Sequence, residues 1–175
     1  MIRILVLLAM LAQTATSQPQ LIDQNGHAFT LGSLHGRPVV ITFVSAHCTD
    51  ACPLVNAQFA QAAQTIAQRK IDATLLTITL DPQHDSLADM RKIAREFSAD
   101  SHHWLVAGGT TRDVENVMHG FGVMAVIGKS GYREAHTTFV YVLDANGRLA
   151  KTMLASTGLA DDVVAAVAPP KVAAR

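Results

Sequence analysis

The sequence lacks several features that would point a chain of 175 residues to a familiar class of function. It has no excess charge of either sign, since Lys+Arg 14 balance Asp+Glu 14, and it contains no basic run or basic-aromatic stripe. We therefore expect no nucleic-acid partner. It also lacks an internal repeat and a glycine-rich phosphate loop. With 49% hydrophobic and only 16% charged residues, the composition predicts one globular domain with a sizeable core.

The N-terminus has the pattern of an export signal. Arg3 provides a basic start, residues 4–12 form an apolar core, and residues 15–17 (Ala-Thr-Ser) are small, as a signal peptidase requires. We expect residues 1–17 to be a cleaved signal peptide and the location to be periplasmic or otherwise extracytoplasmic. The apolar core is too short to span a bilayer, although an uncleaved signal would be a weak membrane tether.

Cysteine is scarce, because Cys48 and Cys52 are the only two. They follow a β-branched and aromatic run, residues 39–44, which predicts a buried strand in the middle of a sheet. An apolar stripe with helical spacing begins at Leu54 and predicts an amphipathic helix with Pro53 in its first position. At the start of a helix, cysteines four residues apart share a face. Nearby amide groups there are expected to favour thiolate over thiol.

Three uses of such a cysteine pair are open. It can hold a soft metal through two thiolates, it can form a reversible disulfide, or it can form a structural disulfide in an exported protein. The third use is the weakest, because closing so short a loop removes little entropy from the unfolded chain.

The next strand predicted along the chain, residues 73–80, ends at a second candidate residue, Asp81. Asp85 or Ser86 is expected to cap the following helix, and that role would account for Asp85. Asp81 is different, since it lies at the carboxyl end of a strand predicted to neighbour the cysteine strand. Ligand sites in open α/β sheets gather at those ends.

The order of predicted elements is that of an elaborated thioredoxin-like fold, with a central mixed sheet flanked by helices and an N-terminal hairpin extension. We assign residues 18–168 to this domain and residues 169–175 to a tail. His136 falls in the loop that opens the hairpin and, in that fold, closes over the cysteine motif. The remaining predictions are a covering hairpin at 23–31, a strand at 105–107, a helix at 112–121, strands at 138–143 and 148–154, and a helix at 160–167.

Three stretches of the chain resemble the Sco/SenC family of copper proteins, and the similarity extends over about residues 21–167. They are HCTDACP, LDPQHD and AHTTFVYVLDANGRL. The resemblance implies that Cys48, Cys52 and His136 are copper ligands and that Asp81 lies near the metal. Asp50 matches a common family residue that would shape the loop or tune the metal electrostatically. Thr49 departs from the family, which usually has proline there. We interpret His47, beside Cys48, as exposed.

Copper suits this set of residues on chemical grounds as well. Two thiolates and one imidazole favour Cu(I), and an added oxygen donor allows Cu(II) to be held. The resemblance implies an extracytoplasmic copper chaperone that assists assembly of the binuclear copper centre of a respiratory cytochrome oxidase. Its partners would be the copper-receiving oxidase subunit and another copper chaperone or a thiol reductase.

Two other functions stay open. One is a thiol-disulfide oxidoreductase that keeps the cysteines of a copper protein reduced, and the other is a redox or copper sensor. Against the first, thioredoxin-type reductases use C-x-x-C, whereas three residues separate Cys48 from Cys52. They also carry a proline before the hairpin strand, where residues 135–138 have none. A peroxiredoxin would have proline at the position of Ile41.

Overall fold

A computed structural model describes residues 18–49, 51–129, 131–134 and 139–169. The predicted signal, residues 170–175 of the tail, Asp50 and His136 lie outside the described residues. The described strands are β1 (Leu21–Asp23), β2 (Ala28–Phe29), β3 (Val39–Val44), β4 (Thr74–Thr79), β5 (Trp104–Gly109), β6 (Val126–Ile127), β7 (Arg133–Glu134), β8 (Phe139–Leu143) and β9 (Leu149–Leu154). The described helices are α1 (Ala51–Gln68), α2 (Leu87–Glu96), α3 (Thr111–Gly120) and α4 (Leu159–Val167), with a 3₁₀ turn at Leu31–Leu34.

The main sheet has seven strands in the order β2-β1-β5-β4-β3-β8-β9. Its centre is parallel, since β3 pairs with β4 and β4 with β5 in the same direction. Antiparallel strands flank this centre on both sides, with β8 beside β3 and β1 beside β5. Every residue of β3 and β4 is buried, as expected of parallel strands covered on both faces. The predicted thioredoxin-like fold with a mixed central sheet is confirmed.

Helices cover the two faces of the sheet unequally. One hydrophobic core lies between the sheet and helices α1, α2 and α4, and contains Phe59, Met90 and Val163. The other core lies under α3 and contains Val114 and Met118. The cysteine motif joins the centre of the sheet to the first of these layers, because β3 leads directly into α1.

Some predicted elements differ from those observed. Helix α1 begins at Ala51, so Pro53 is its third residue rather than its first. Proline is tolerated there, because the first four amides of a helix have no partner within the helix. The predicted N-terminal hairpin is confirmed, since β1 pairs with β2, and β1 also pairs with β5, so the hairpin extends the sheet at its edge. The short antiparallel pair of β6 and β7 was not predicted.

Candidate metal centre

The two cysteines lie where β3 passes into α1. Cys48 is half-buried in the connecting loop, and its amide donates to the Ser45 carbonyl at 3.2 Å. Cys52 is in the first turn of α1 and only 7% exposed. Both are thiols, and their side chains are hydrogen-bonded to each other. The expectation that the cysteines share one face is therefore confirmed.

The protonation state of Cys52 differs from the expectation. The hydrogen bond to Cys48 and burial raise the pKa of Cys52 far above its ordinary range, and the nearby charge of Asp85 acts in the same direction. A hydrogen bond from the backbone of Ser45 opposes this shift of the pKa without reversing it. The prediction that amides at the helix start would favour a thiolate at Cys52 is wrong, because burial and the second sulfur dominate. A soft cation between the sulfurs would remove this penalty, since a coordinating thiol is deprotonated by its metal.

A cavity of about 320 Å³ opens beside the two sulfur-bearing residues. Its wall combines apolar side chains with polar ones, and includes Cys48, Cys52, Ile93, Phe97, Asn56 and Glu96. Asn56 is buried, and its Oδ1 accepts no hydrogen bond from the described residues. The cysteine pair therefore faces a space large enough for a small ligand or a partner's side chain.

Asp81 lies at the carboxyl end of the strand beside the cysteine strand, as predicted. It follows β4, the parallel neighbour of β3, and is 0% exposed. One carboxylate oxygen, Oδ2, accepts a hydrogen bond from the Arg133 amide at 2.9 Å. His84 Nδ1 lies 2.9 Å from the same oxygen and 3.0 Å from Oδ1. Asp81 thus connects the end of β4 to the start of β7.

Of the two caps predicted for helix α2, Ser86 is confirmed and Asp85 is wrong. Ser86 is the cap, since its hydroxyl accepts from the Asp89 amide. The Asp85 side chain turns into the protein, where Oδ2 accepts from Thr79 Oγ1 at 2.5 Å and from the Ala46 amide at 3.0 Å. Burial raises the pKa of this carboxyl above its ordinary value. Asp85 therefore fixes the cysteine loop to the end of β4.

A cluster of three rings lies beside this loop. Tyr132 stacks on His47, with ring centroids 4.1 Å apart and planes 13° from parallel. The same tyrosine makes a T-shaped contact with His84, with ring centroids 5.2 Å apart and planes at 86°. His47 Nε2 is 3.8 Å from Asp85 Oδ1. His47 is exposed, as predicted, with 35% of its side chain accessible, but its contact with Tyr132 was not predicted.

The structure brings together part of the predicted site. Cys48 and Cys52 are adjacent, and Asp81 holds the segment that precedes residue 136, whereas Asp50 and His136 lie outside the described residues. Among the described residues, no three histidine, cysteine, aspartate or glutamate side chains form a metal-binding group. The sequence did not predict Tyr132, His84 or the role of Asp85 in this site. The available signal for one of them was the i, i+3 spacing of Asp81 and His84, which places a carboxylate beside an imidazole in a tight turn.

In the ranges that the structure describes, no helix combines the length and the apolar character that crossing a membrane requires.

Comparison with known proteins places the chain in a family. A family model described as SCO1/SenC matches residues 10–169. An SCO2-like protein of Rickettsia prowazekii is 29% identical over 138 residues, which span 75% of this chain and 65% of that protein, less than two thirds of its length. ScoI of Bradyrhizobium japonicum, solved with copper bound, is 28% identical with a TM-score of 0.72, and the match covers 86% of this chain and 98% of that one.

A third comparison concerns the fold alone. BsSco, described with a disulfide switch and as a member of the Sco family of cytochrome c oxidase assembly proteins, has a TM-score of 0.72 at 20% identity. That match covers 85% of this chain and 88% of BsSco. Because the SCO1/SenC model matches nearly the whole of the sequence, the chain belongs to the SCO1/SenC family.

Proposed function

We propose that this protein is an extracytoplasmic copper chaperone that assists assembly of the binuclear copper centre of a respiratory cytochrome oxidase. The observation that carries the proposal is the pair of hydrogen-bonded thiols, Cys48 and Cys52, beside a cavity of about 320 Å³. Two sulfurs held together beside a cavity can bind one soft ion between them once both are deprotonated. A cavity beside them leaves room for a partner to receive that ion.

Copper is the cargo in this proposal, and its ligands would be Cys48, Cys52 and His136. Thiolates prefer Cu(I), and an imidazole with an oxygen donor extends the set to Cu(II). The burial and hydrogen bonding that raise the pKa of Cys52 disfavour a thiolate at this residue when no copper is bound. Copper would therefore displace a proton from Cys52, and binding should weaken as the solution becomes more acidic.

Asp81 would act beside the metal rather than on it, because its carboxylate is occupied by His84 and by the Arg133 amide. Asp50 would shape the cysteine loop or contribute negative charge to it. The support for an oxidase as the destination comes from relatives. The Bradyrhizobium protein was solved with copper, and BsSco is described as belonging to a family of cytochrome c oxidase assembly proteins. The partners would be the copper-receiving oxidase subunit and a copper donor or thiol reductase.

A second function, thiol-disulfide exchange, is favoured by the same hydrogen bond between the cysteines. Oxidation would join the two sulfurs and release two protons and two electrons to an acceptor disulfide, which would become two thiols. The disulfide switch named for BsSco makes this alternative worth testing. It differs from the copper proposal in needing no third ligand.

The test is an anaerobic titration of the reduced protein with Cu(I) in competition with a chromophoric chelator, run beside an insulin-reduction assay. We expect one tightly bound copper per chain and negligible turnover of insulin. Cys48→Ser and Cys52→Ser should each abolish tight binding while leaving the protein folded, because a hydroxyl is a poor ligand for a soft ion. Unchanged Cu(I) affinity in either variant would refute the proposal.

His136→Ala separates copper binding from dithiol chemistry. Two thiolates alone can hold Cu(I), so this variant should lose Cu(I) affinity only partly, while Cu(II) loses its site more completely. The thiolate-to-Cu(II) absorption should disappear or shift, and the cysteines should still oxidise normally. His119→Ala, at an exposed position of α3, is the matched control and should change neither property. A wild-type Cu(II) spectrum in His136→Ala would favour the thiol-disulfide function.

A further inference from the structure

The ring cluster beside the cysteine loop connects three separate parts of the chain. Tyr132 comes from the segment before β7, His47 directly precedes Cys48, and His84 lies in the turn after β4. The stack of Tyr132 on His47 is close and nearly parallel, at 4.1 Å and 13°. The contact with His84 is edge-on at 86°, an arrangement that aromatic rings favour. The tyrosine thus stacks on the cysteine loop and makes a T-shaped contact with the turn that follows β4.

Several polar contacts fix the surroundings of this tyrosine. His84 Nδ1 is 2.9 Å from the buried carboxylate of Asp81, which orients its ring. The amide of Arg133 donates to the same carboxylate at 2.9 Å, and its guanidinium lies 2.6 Å from Glu115 on α3. The Gly128 amide donates to the Tyr132 carbonyl at 2.8 Å. Residues 131–134 are therefore anchored on several sides, and Tyr132 supplies the contact with the cysteine loop.

We infer that Tyr132 is a positioning residue that docks residues 131–134 onto the cysteine loop. The effect on copper binding rests on the proposed function, in which His136 is a ligand. His136 follows Tyr132 by four residues. Four residue steps reach at most roughly 14 Å, so fixing Tyr132 restricts where a ligand four residues later can act. The docked tyrosine would hold the third ligand within reach of Cys48 and Cys52 and lower the entropy lost when copper binds.

A purely structural role for Tyr132 would predict that removing its ring destabilises the fold. The tyrosine is half-buried, and the side chains of His47 and His84 are 35% and 44% exposed. The cluster therefore lies at the surface, away from the two cores under the helices. Removing the ring should leave the global fold intact, so that any change in copper binding reports on positioning.

The experiment compares Tyr132→Ala with Tyr132→Phe in the full chain, with His119→Ala as a surface control. Amide hydrogen exchange of the copper-free protein is measured by mass spectrometry for peptides covering residues 131–134. Cu(II) spectra, Cu(II) affinity and Cu(I) affinity are then measured for the same proteins. The phenylalanine variant keeps the stacking ring and is the conservative rescue.

We expect Tyr132→Ala to exchange faster over residues 131–134, to alter the Cu(II) absorption and to weaken Cu(II) binding on the order of tenfold, the upper range for one aromatic pair. Cu(I) affinity should change by less than about threefold, since two thiolates can hold that ion alone. Tyr132→Phe should restore wild-type exchange and spectrum. Unchanged exchange and an unchanged Cu(II) spectrum in Tyr132→Ala would overturn the inference, as would equal losses for the two oxidation states.

The same data distinguish failure of this inference from failure of the proposed function. A wild-type protein that binds no copper overturns the proposed function and, with it, the role of Tyr132 in holding a ligand. Normal copper binding by the wild type together with wild-type behaviour of Tyr132→Ala overturns the positioning role alone.

Discussion

Asp85→Ala should destabilise the protein through the cysteine loop. One oxygen of the Asp85 carboxylate, Oδ2, accepts two hydrogen bonds, from the Thr79 hydroxyl at 2.5 Å and from the Ala46 amide at 3.0 Å. Thr79 is fully buried and Ala46 is half-buried. Removing the acceptor leaves both donors without their partner, and Ala46 is two residues from Cys48.

The size of the effect follows from these two donors. Leaving a buried donor unsatisfied costs about 1–3 kcal/mol. The cost is smaller for the half-buried amide of Ala46, because water can reach that amide and accept its hydrogen bond. We therefore expect Asp85→Ala to lower the free energy of unfolding by about 2–4 kcal/mol. Asp85→Asn retains an acceptor oxygen of the same shape and should cost less than about 1.5 kcal/mol.

Urea denaturation followed by circular dichroism measures both variants. Asp72→Ala is the matched control, because the Asp72 side chain is 78% exposed and lies 3.5 Å from Arg37. An exposed ion pair of that kind is worth less than about 1 kcal/mol. The role of the carboxylate as an acceptor is refuted if Asp85→Ala is no more destabilising than Asp72→Ala, or if Asp85→Asn is as destabilising as Asp85→Ala.

The same carboxyl gives a pH dependence. Burial raises the pKa of Asp85 in the folded protein, so its contribution to stability is complete below the unfolded pKa, about 3.9, and is lost as the pH rises through the folded value. Asp85→Asn has no such titration. Its free energy of unfolding relative to wild type should therefore improve as the pH rises above about 4. A difference that stays constant over this range would show that the buried carboxyl does not titrate differently in the two states.

Two further predictions concern the thiols and a turn. Oxidation of Cys48 and Cys52 to an intramolecular disulfide should abolish copper loading, because both sulfurs are consumed; equal loading before and after oxidation, checked by intact mass, would contradict this. Gly147→Ala should lower the free energy of unfolding by about 1–2 kcal/mol, since Gly147 has φ +75° and a Cβ there would meet the His35 ring. Gly120→Ala, whose Cβ would meet nothing within 4 Å, is the control and should be neutral or slightly stabilising in urea denaturation.

The fold was predictable because its signals are local. The buried run at residues 39–44 and the helical stripe after Leu54 depend on neighbours a few residues away, and β3 and α1 match them closely. Asp81 was identifiable for a related reason, since parallel strands bring their carboxyl ends to one edge. The position of a residue at the end of such a strand thus follows from the order of elements.

The missed parts of the site depend on contacts between distant segments. The bond from the Arg133 amide to Asp81 joins residues 52 apart in sequence, and no local pattern indicates it. The stack of Tyr132 on His47 is of the same kind. Asp85 was wrongly predicted as a cap because an aspartate at the start of a helix can either cap the helix or turn inward as a buried hydrogen-bond acceptor. The prediction of a thiolate at Cys52 was wrong because sequence alone does not reveal how deeply a side chain in the first turn of a helix is buried.

Sheet topology explains why the copper proposal takes its third ligand from the segment before β8. β8 runs antiparallel to β3, with Val140 opposite Thr42, so the beginning of β8 lies at the end of β3 from which the cysteine loop leaves. The start of β8 and the cysteine loop thus share one end of the sheet, which supports the choice of a third ligand from the segment that precedes β8.

The same sheet order excludes the neighbouring histidines His102 and His103 as ligands of copper bound at the cysteines. They precede β5, which runs parallel to β4 in the centre of the sheet, and the His103 carbonyl accepts from Leu75 at the beginning of β4 at 2.7 Å. Since β4 is parallel to β3, that beginning lies at the edge opposite the cysteines. Substituting His102 or His103 with alanine should consequently leave copper binding unchanged, and a loss of affinity in either variant would require a metal site that this sheet order does not provide.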